Sequence, residues 1–235
     1  MELDNPVWHA LVGRQSGLGV ATELAARFDP SICPFAGFEG DLGPSHWADM
    51  ASLLKPGEAT VLVNLSITTV PSEWTVLRVI EAIQMLGDHL VPDRTETRPS
   101  EQLLQLGTAD VADMLALVAE AQPGPFRTGT ISFGGYLGIR RKGALIAMAG
   151  QRLGLTGYTE ISAVATRSDH RRQGMGERLV RAVATGIVER GEIPFLHVST
   201  ESEKAIRLYE DMGFTRRRSV SFSFVQAPGV GASPD

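Results

Sequence analysis

Residues 169–180, Asp-His-Arg-Arg-Gln-Gly-Met-Gly-Glu-Arg-Leu-Val, join a strand pattern to a helix pattern. That junction restricts the fold more than any other stretch of the chain. Upstream, Tyr-Thr-Glu-Ile-Ser-Ala-Val-Ala-Thr (158–166) reads as a strand. Downstream, Leu179, Val180, Val183, Ile187 and Val188 recur on one face of a helix that runs to Arg190 and stops at Gly191. Residues 193–200, Ile-Pro-Phe-Leu-His-Val-Ser-Thr, read as another strand. A strand, a helix and a strand in that order imply a parallel pair joined by a crossover.

The turn itself has a chemical reading. A helix start leaves free backbone N–H groups and the positive end of the helix dipole. Gly174 and Gly176 carry no Cβ, so an anion can come close to the main chain. Arg171 and Arg172 add charge. Together these features describe a phosphate or pyrophosphate seat; a tight turn with solvated arginines accounts for the same residues. A P-loop would need Gly-Lys-Ser/Thr here, which is absent. A dinucleotide fingerprint would need Gly or Ala at 179, which is Leu179, and an acid ending the next strand, which ends in Ser199 and Thr200.

Around the junction the second half alternates elements. Residues 108–122 form an amphipathic helix with Thr108 as N-cap, ended by Pro123. Residues 136–153 read as two strands around an Arg-Lys-Gly turn. A helix through Met212, closed by Gly213, precedes a last strand at 217–225. In the first half, Asn5 and Pro6 open a short helix, 23–28 is a strand, and 29–45 reads as loop. Ser45 caps a helix with Trp47, Met50, Ala51 and Leu54 on one face, and 59–65 is a strand. Residues 75–86 fit both the helical and the extended period; the strand reading is taken.

Bulk properties exclude some classes of function. Net charge is −5, against the basic face of a nucleic-acid binder. No apolar run reaches about 18 residues, so no membrane span is expected, and the acidic N-terminus lacks an apolar signal core. Cys33 is the only cysteine, which excludes an intrachain disulfide and a cysteine metal cluster and points to the reducing cytoplasm.

Over residues 101–225 the chain resembles the GNAT superfamily of acetyl-CoA-dependent N-acetyltransferases, in particular its FR47-like subgroup. One element, Arg/Gln-x-x-Gly-x-Gly/Ala, stands here as Arg171, Arg172, Gln173, Gly174, Met175 and Gly176. A later one, Asn-x-x-Ala/Ser-x-x-x-Tyr-x-x-x-Gly-Phe, stands as Ser202, Ala205, Tyr209, Gly213 and Phe214, with Ser in place of the usual Asn. The resemblance implies an α/β fold: a mixed, mostly antiparallel sheet with a parallel pair around a CoA-binding strand–turn–helix, plus an N-terminal α/β segment.

The resemblance also implies roles. Residues Arg171 to Glu177 would hold the pyrophosphate, mostly through backbone N–H groups. Val164 and Thr166 would bind the pantetheine arm by main-chain bonds, as an added strand, and Ser202 and Ala205 would complete the cofactor site. An amine with a free pKa near ~10 must lose a proton before it attacks. Glu160 is the candidate base; by alternation it shares one side of its strand with Ser162, Val164 and Thr166. It is equally readable as a salt-bridged or solvated strand residue. Tyr209 would protonate the leaving thiolate, against a reading as a core tyrosine. His197 and Phe126 are candidate acceptor-binding residues; His197 is equally readable as structural.

The expected division of the chain is an N-terminal α/β segment at 1–92, a linker at 93–100, an acetyltransferase domain at 101–226 and a disordered tail at 227–235. In two-part chains of this kind the leading segment can resemble a degenerate second copy of the fold, although residues 1–92 carry no such glycine pattern. The expected activity is acetyl transfer from acetyl-CoA, as co-substrate, to a primary amine of a small molecule or peptide by direct attack in a ternary complex. No metal, nucleic acid or membrane is implied, and the resemblance suggests a homodimer. Two alternatives stay open: use of another acyl-CoA, and an inactive acyl-CoA-binding sensor or scaffold.

Overall fold

The computed structural model describes residues 1–64, 70–90 and 102–229. In chain order its first elements are α1 (Pro6–Val12), β1 (Gly19–Ala21), β2 (Ala25–Phe28), β3 (Phe35–Phe38), α2 (Pro44–Leu53), β4 (Ala59–Asn64) and β5 (Thr75–Leu86). They are followed by β6 (Leu104–Gln105), α3 (Val111–Ala121), β7 (Leu137–Arg141), β8 (Ala144–Leu155), β9 (Tyr158–Thr166), α4 (Met175–Val188), β10 (Ile193–Ser199), α5 (Glu203–Asp211) and β11 (Thr215–Gln226). The mixed, mostly antiparallel sheet with parallel pairs is the expected fold class. Two compact units divide the chain: Met1–Ile83 with Leu153–Thr156 and Arg218–Asp235, and Gln84–Arg152 with Gly157–Arg217.

The second unit is built around the junction picked out by the sequence. Strands β6–β7 and β7–β8 pair antiparallel. The β7–β8 turn places Lys142 (φ 47°) and Gly143 (φ 83°) both in the left-handed region, as a two-residue hairpin matching strand twist requires. From β8 the chain returns through two residues into β9, a connection only antiparallel strands allow. After β9, α4 crosses over to β10, which pairs with β9 in parallel: Ile193 with Tyr158, Pro194 with Thr159, Phe195 with Glu160. The buried residues of α4, from Met175 and Leu179 to Ile187, form the expected apolar stripe. Leu106, Met114, Leu117, Phe126, Tyr136, Leu145, Met148, Ala163 and Ala165 form a core cluster in this unit.

The first unit repeats that order. Strands β1–β2 and β2–β3 are antiparallel, and β3–α2–β4 is a parallel crossover, with Phe35 opposite Val61 and Ala36 opposite Leu62. β11 pairs antiparallel with β4. Trp47, Met50, Phe38 and Trp74 centre its core; ring centroids are 5.1 Å apart for Phe38–Trp47 and 5.0 Å for Trp47–Trp74.

Several local expectations change. β3 lies inside the stretch read as loop: its four residues are all buried, so no alternation marks it. α2 starts at Pro44 with Gly43 as N-cap, rather than at Ser45; the Gly43 N–H donates to His46 Nδ1 at 3.1 Å. A single 3-10 turn, Thr108–Asp110, precedes α3, and Asp110 accepts the Gly107 N–H at 2.9 Å. Gln122, left-handed at φ 49°, ends α3 before Pro123. The expected linker at 93–100 lies outside the described residues, as do 230–235 of the tail. Ala227 and Pro228 are held by the turn before β4: the Ala227 N–H donates to Glu58 O at 2.9 Å, and the Gly57 N–H to Pro228 O at 3.0 Å.

Candidate active site

Pairing between β9 and β10 stops at Glu160 and Phe195, although both strands run on, to Thr166 and Ser199. Beyond that point, among the described residues, the side of β9 that faced β10 has no strand partner. Ala163 sits in this stretch at φ 54°, a left-handed residue in the middle of a strand. For a residue with a Cβ that conformation costs roughly 1–2 kcal/mol. Burial still alternates along this stretch: Ile161, Ala163 and Ala165 are buried, and Ser162, Val164 and Thr166 are half-buried.

From Thr166 the chain enters the arginine–glycine turn. Glu120 at the end of α3 fixes the entry, accepting the N–H of Ser168 at 2.7 Å and its hydroxyl at 2.8 Å. Those bonds hold the Glu120 carboxyl below its ordinary pKa. Arg172 at φ 62° and Gly174 at φ 79° are both left-handed, and Gly174 is the N-cap of α4 with no side chain capping the helix. The first amides of α4 therefore keep no side-chain acceptor. Met175 is buried, so it can meet a ligand only through its main chain.

Gly176 faces the end of β9. A Cβ there would stand 3.8 Å from Thr166 Oγ1 and 4.0 Å from Val164 Cγ1. Hydrogen in place of that methyl leaves a gap bounded by the turn and by the unpaired end of β9, the two segments assigned to the pyrophosphate and the pantetheine. Arg171 lies over the same place, its Nε donating to Thr166 O at 3.3 Å. Arg172 is exposed. Gln173 accepts from Arg141 Nη1 at 2.9 Å, which brings in a third guanidinium. Glu177, the one acid in the group, is neutralised by Arg181, with Nε and Nη2 at 3.0 and 2.9 Å from Oε1. The donor set fits a pyrophosphate.

Tyr209 lies on α5, 8% exposed, with its ring edge-on to Phe214 at 5.9 Å between centroids. Burial pushes its phenol up to about 12. Among the described residues no hydrogen bond engages its hydroxyl, so at neutral pH it is a protonated donor without a partner there. Ser202 is the N-cap of α5; its C=O accepts the N–H groups of Ala205 and Ile206 at 2.9 and 3.0 Å. Ser202, Glu203 and Lys204 are exposed, Ala205 is half-buried and Ile206 is buried.

One expected role meets contrary geometry. Glu160 is completely buried: Arg152 Nε and Nη2 donate to its two oxygens at 2.8 and 2.6 Å, and His197 Nδ1 lies 2.7 Å from Oε1. Burial by itself would raise the carboxyl, but the Arg152 charge and hydrogen bonds, with the hydrogen bond from His197, outweigh it and hold it at about 2. A carboxylate so placed neither touches an amine nor takes its proton readily, so the direct base role expected of Glu160 is corrected to a buried ion pair. Phe126, the other candidate acceptor-binding residue, packs in the core cluster, edge-on to Tyr136 at 5.7 Å. The His197 side chain is 2% exposed and belongs to the Glu160 cluster.

Sequence reasoning missed Arg152, Gln84, Arg217, Arg141 and Glu120. Only Arg152 leaves a trace: one arginine in the apolar run of β8 must find a counter-charge if it is buried. Among the described residues no group of three or more His, Cys, Asp and Glu could hold a metal ion, and no helix is long and apolar enough to cross a membrane.

The family described as FR47-like protein matches residues 136–223, which contain the turn, the crossover and α5. Over 84 residues, 34% of this chain, it is 33% identical to the N-alpha-acetyltransferase RimI of Mycobacterium tuberculosis, and the match spans 52% of that protein. A solved GCN5-related N-acetyltransferase from Kribbella flavida is 18% identical, with 95% and 97% of the two chains covered and a TM-score of 0.62; it shares the fold. A solved acetyltransferase of the GNAT family from Novosphingobium aromaticivorans DSM 12444 is 36% identical, with a TM-score of 0.86. That similarity covers 98% of this chain and 100% of that one, well past the extent at which a shared fold alone would explain it: the chain belongs to the GNAT family of acetyltransferases.

Proposed function

We propose that the chain is an N-acetyltransferase that moves an acetyl group from acetyl-CoA to a primary amine of a small molecule or peptide, by direct attack in a ternary complex. The observation that carries this is the meeting of the uncapped glycine start of α4 with the unpaired end of β9 at Gly176. Acetyl-CoA supplies an activated acetyl group as a thioester. Amides from Gly174 to Glu177 accept the pyrophosphate charge, helped by Arg171 and Arg172. Main-chain groups of Val164 and Thr166 hold the pantetheine arm as an added strand. Tyr209 delivers a proton to the departing sulfur. With Glu160 sequestered, the proton of the amine leaves to solvent. Ser202 and Ala205 open the helix that carries Tyr209.

Further support comes from the Mycobacterium relative, named for acetylation of an alpha-amine, although the match covers about half of that protein. We read residues 1–92 as a degenerate copy of the same half. The support is the repeated strand order and, before α2, Glu39 and Asp41 where the active turn has arginines. The lone buried Cys33 supports a reducing, cytoplasmic location.

The test is the whole chain with acetyl-CoA against a panel of amines, amino acids and peptides, read as released thiol and as acetylated product. Turnover with one acceptor class is expected. The buried Glu160 favours a second reading, an acyl-CoA-binding sensor. Tight acetyl-CoA binding by calorimetry with no thiol released from acetyl-CoA or another acyl-CoA would select it.

A further inference from the structure

Five adjacent strands, β11, β5, β10, β9 and β8, each contribute one side chain of the second unit to a single hydrogen-bonded line. Arg217 Nη1 donates to Gln84 Oε1 at 2.7 Å. Gln84 Nε2 stands 3.1 Å from His197 Nε2, His197 Nδ1 stands 2.7 Å from Glu160 Oε1, and Arg152 closes the line on Glu160. Gln84 and Glu160 are completely buried.

The hydrogens along the line have one consistent arrangement. Arg217 has only donors, so it takes the oxygen of Gln84 and leaves the amide N–H to face His197. His197 Nε2 must then accept, which puts the ring hydrogen on Nδ1, pointing at the Glu160 carboxylate. The line also crosses the sheet where β9 and β10 cease to pair. Phe195 opposite Glu160 is their last pair, and His197, two residues further on, reaches back to Glu160. Beyond the last backbone pair, a side-chain bridge replaces the ladder. Apolar side chains of similar volume would serve stability as well. A polar line instead fixes one geometry, because each member accepts only one placement of its neighbours.

We propose that Gln84 and Arg217 are positioning residues for acetyl transfer: they fix His197 as the Nδ1–H tautomer and, through Glu160, set how far β9 and β10 part beside the thioester. This rests on the acetyltransferase reading above. Neither residue touches the reacting atoms, and both lie far from the pyrophosphate turn in sequence.

The test uses the full chain and the best acceptor from the amine panel. Arg217→Met should lower kcat about 10- to 100-fold, the usual cost of a small misplacement, with the acetyl-CoA Kd within about threefold. Arg217→Lys, which keeps the donor, should return kcat to within about threefold of the parent. Gln84→Met should follow Arg217→Met, and where that buried replacement does not fold, Arg217→Met at the half-buried end decides. Nitrogen-15 spectra of the parent should show the His197 ring protonated at Nδ1 and bare at Nε2. The proposal is overturned by a ring protonated at Nε2, by parental kcat in Arg217→Met, or by loss of acetyl-CoA binding in step with melting temperature. A parent that acetylates no amine overturns the acetyltransferase reading as well, whereas an active parent with an indifferent Arg217→Met overturns this proposal alone.

Discussion

Gly176 on α4 and Thr166 on β9 stand so close that one methyl group on the glycine would reach ordinary contact, 3.8 Å, with the threonine hydroxyl. The space is large enough for that methyl in the protein alone, and it is the space assigned here to the cofactor. Gly176→Ala therefore separates stability from binding. The helix gains up to about 1 kcal/mol from the exchange, so the melting temperature without ligand should hold or rise. Acetyl-CoA affinity should fall by roughly tenfold, about 1.4 kcal/mol. Calorimetry on the variant checks it, and an unchanged Kd would move the cradle elsewhere.

Acetyl-CoA should raise the melting temperature while NAD and ATP do so far less, because the turn lacks both the P-loop lysine and the dinucleotide pattern. A ligand that binds only the folded state stabilises it by RT ln(1 + [L]/Kd), about 2.7 kcal/mol at one hundred times Kd. A thermal shift series at matched concentrations reads this directly. A shift with NAD and none with acetyl-CoA would count against the assigned cradle.

Tyr209→Phe should slow turnover by about 10²–10⁴-fold, the usual range for a positioned acid, with little change in acetyl-CoA affinity. Its ring contact with Phe214 survives the change, and no hydrogen bond within the described residues is lost, so the melting temperature should stay close to that of the parent. The pH dependence has a definite sign. A phenol raised to about 12 is protonated and competent below that value, so it imposes no alkaline fall in kcat before roughly pH 11. An alkaline limb near pH 9 that vanishes in Tyr209→Phe would contradict this placement, and parental kcat would remove the acid role.

The parts of this fold that were legible in the sequence are those where one face is buried and the other is wet. α4 carries such a stripe, and its strand neighbours β9 and β10 are bounded by turn residues. β3 was invisible because Phe35 to Phe38 are all buried and flanked by proline and glycine, which mimics a loop. β5 was ambiguous for the opposite reason: from Thr75 to Val79 it is exposed on both faces, Val76, Leu77 and Val79 included, so no period survives. The arginine–glycine turn was readable because its residues are local, glycines and arginines within six positions. The line from Arg217 to Arg152 was not, since its members are brought together only by the order of strands. Nor was the left-handed Ala163, because nothing about alanine favours that conformation.

The ion pair of Arg152 and Glu160 should behave as a unit. Glu160→Gln leaves a guanidinium in a buried site without its counter-charge, a loss that typically costs about 3–5 kcal/mol. In a chain of this size each kcal/mol lowers the melting temperature by roughly 2–4 °C. Arg152→Met alone should be comparably costly, because Glu160 would then be the unpaired charge. The double variant Arg152→Met/Glu160→Gln removes both charges and keeps much of the volume, so it should be less destabilised than the sum of its parts. Acid unfolding carries the same signature. The folded carboxyl lies near about 2 against an ordinary 4.5, so its stabilising contribution is complete above pH 4.5 and is lost as pH falls toward 2. The double variant should lose less stability than the parent across that window. Melting curves from pH 7 down to the acid limit measure both effects. Additive single and double variants, with identical acid profiles, would mean that Glu160 is not ionised against Arg152 in the folded chain.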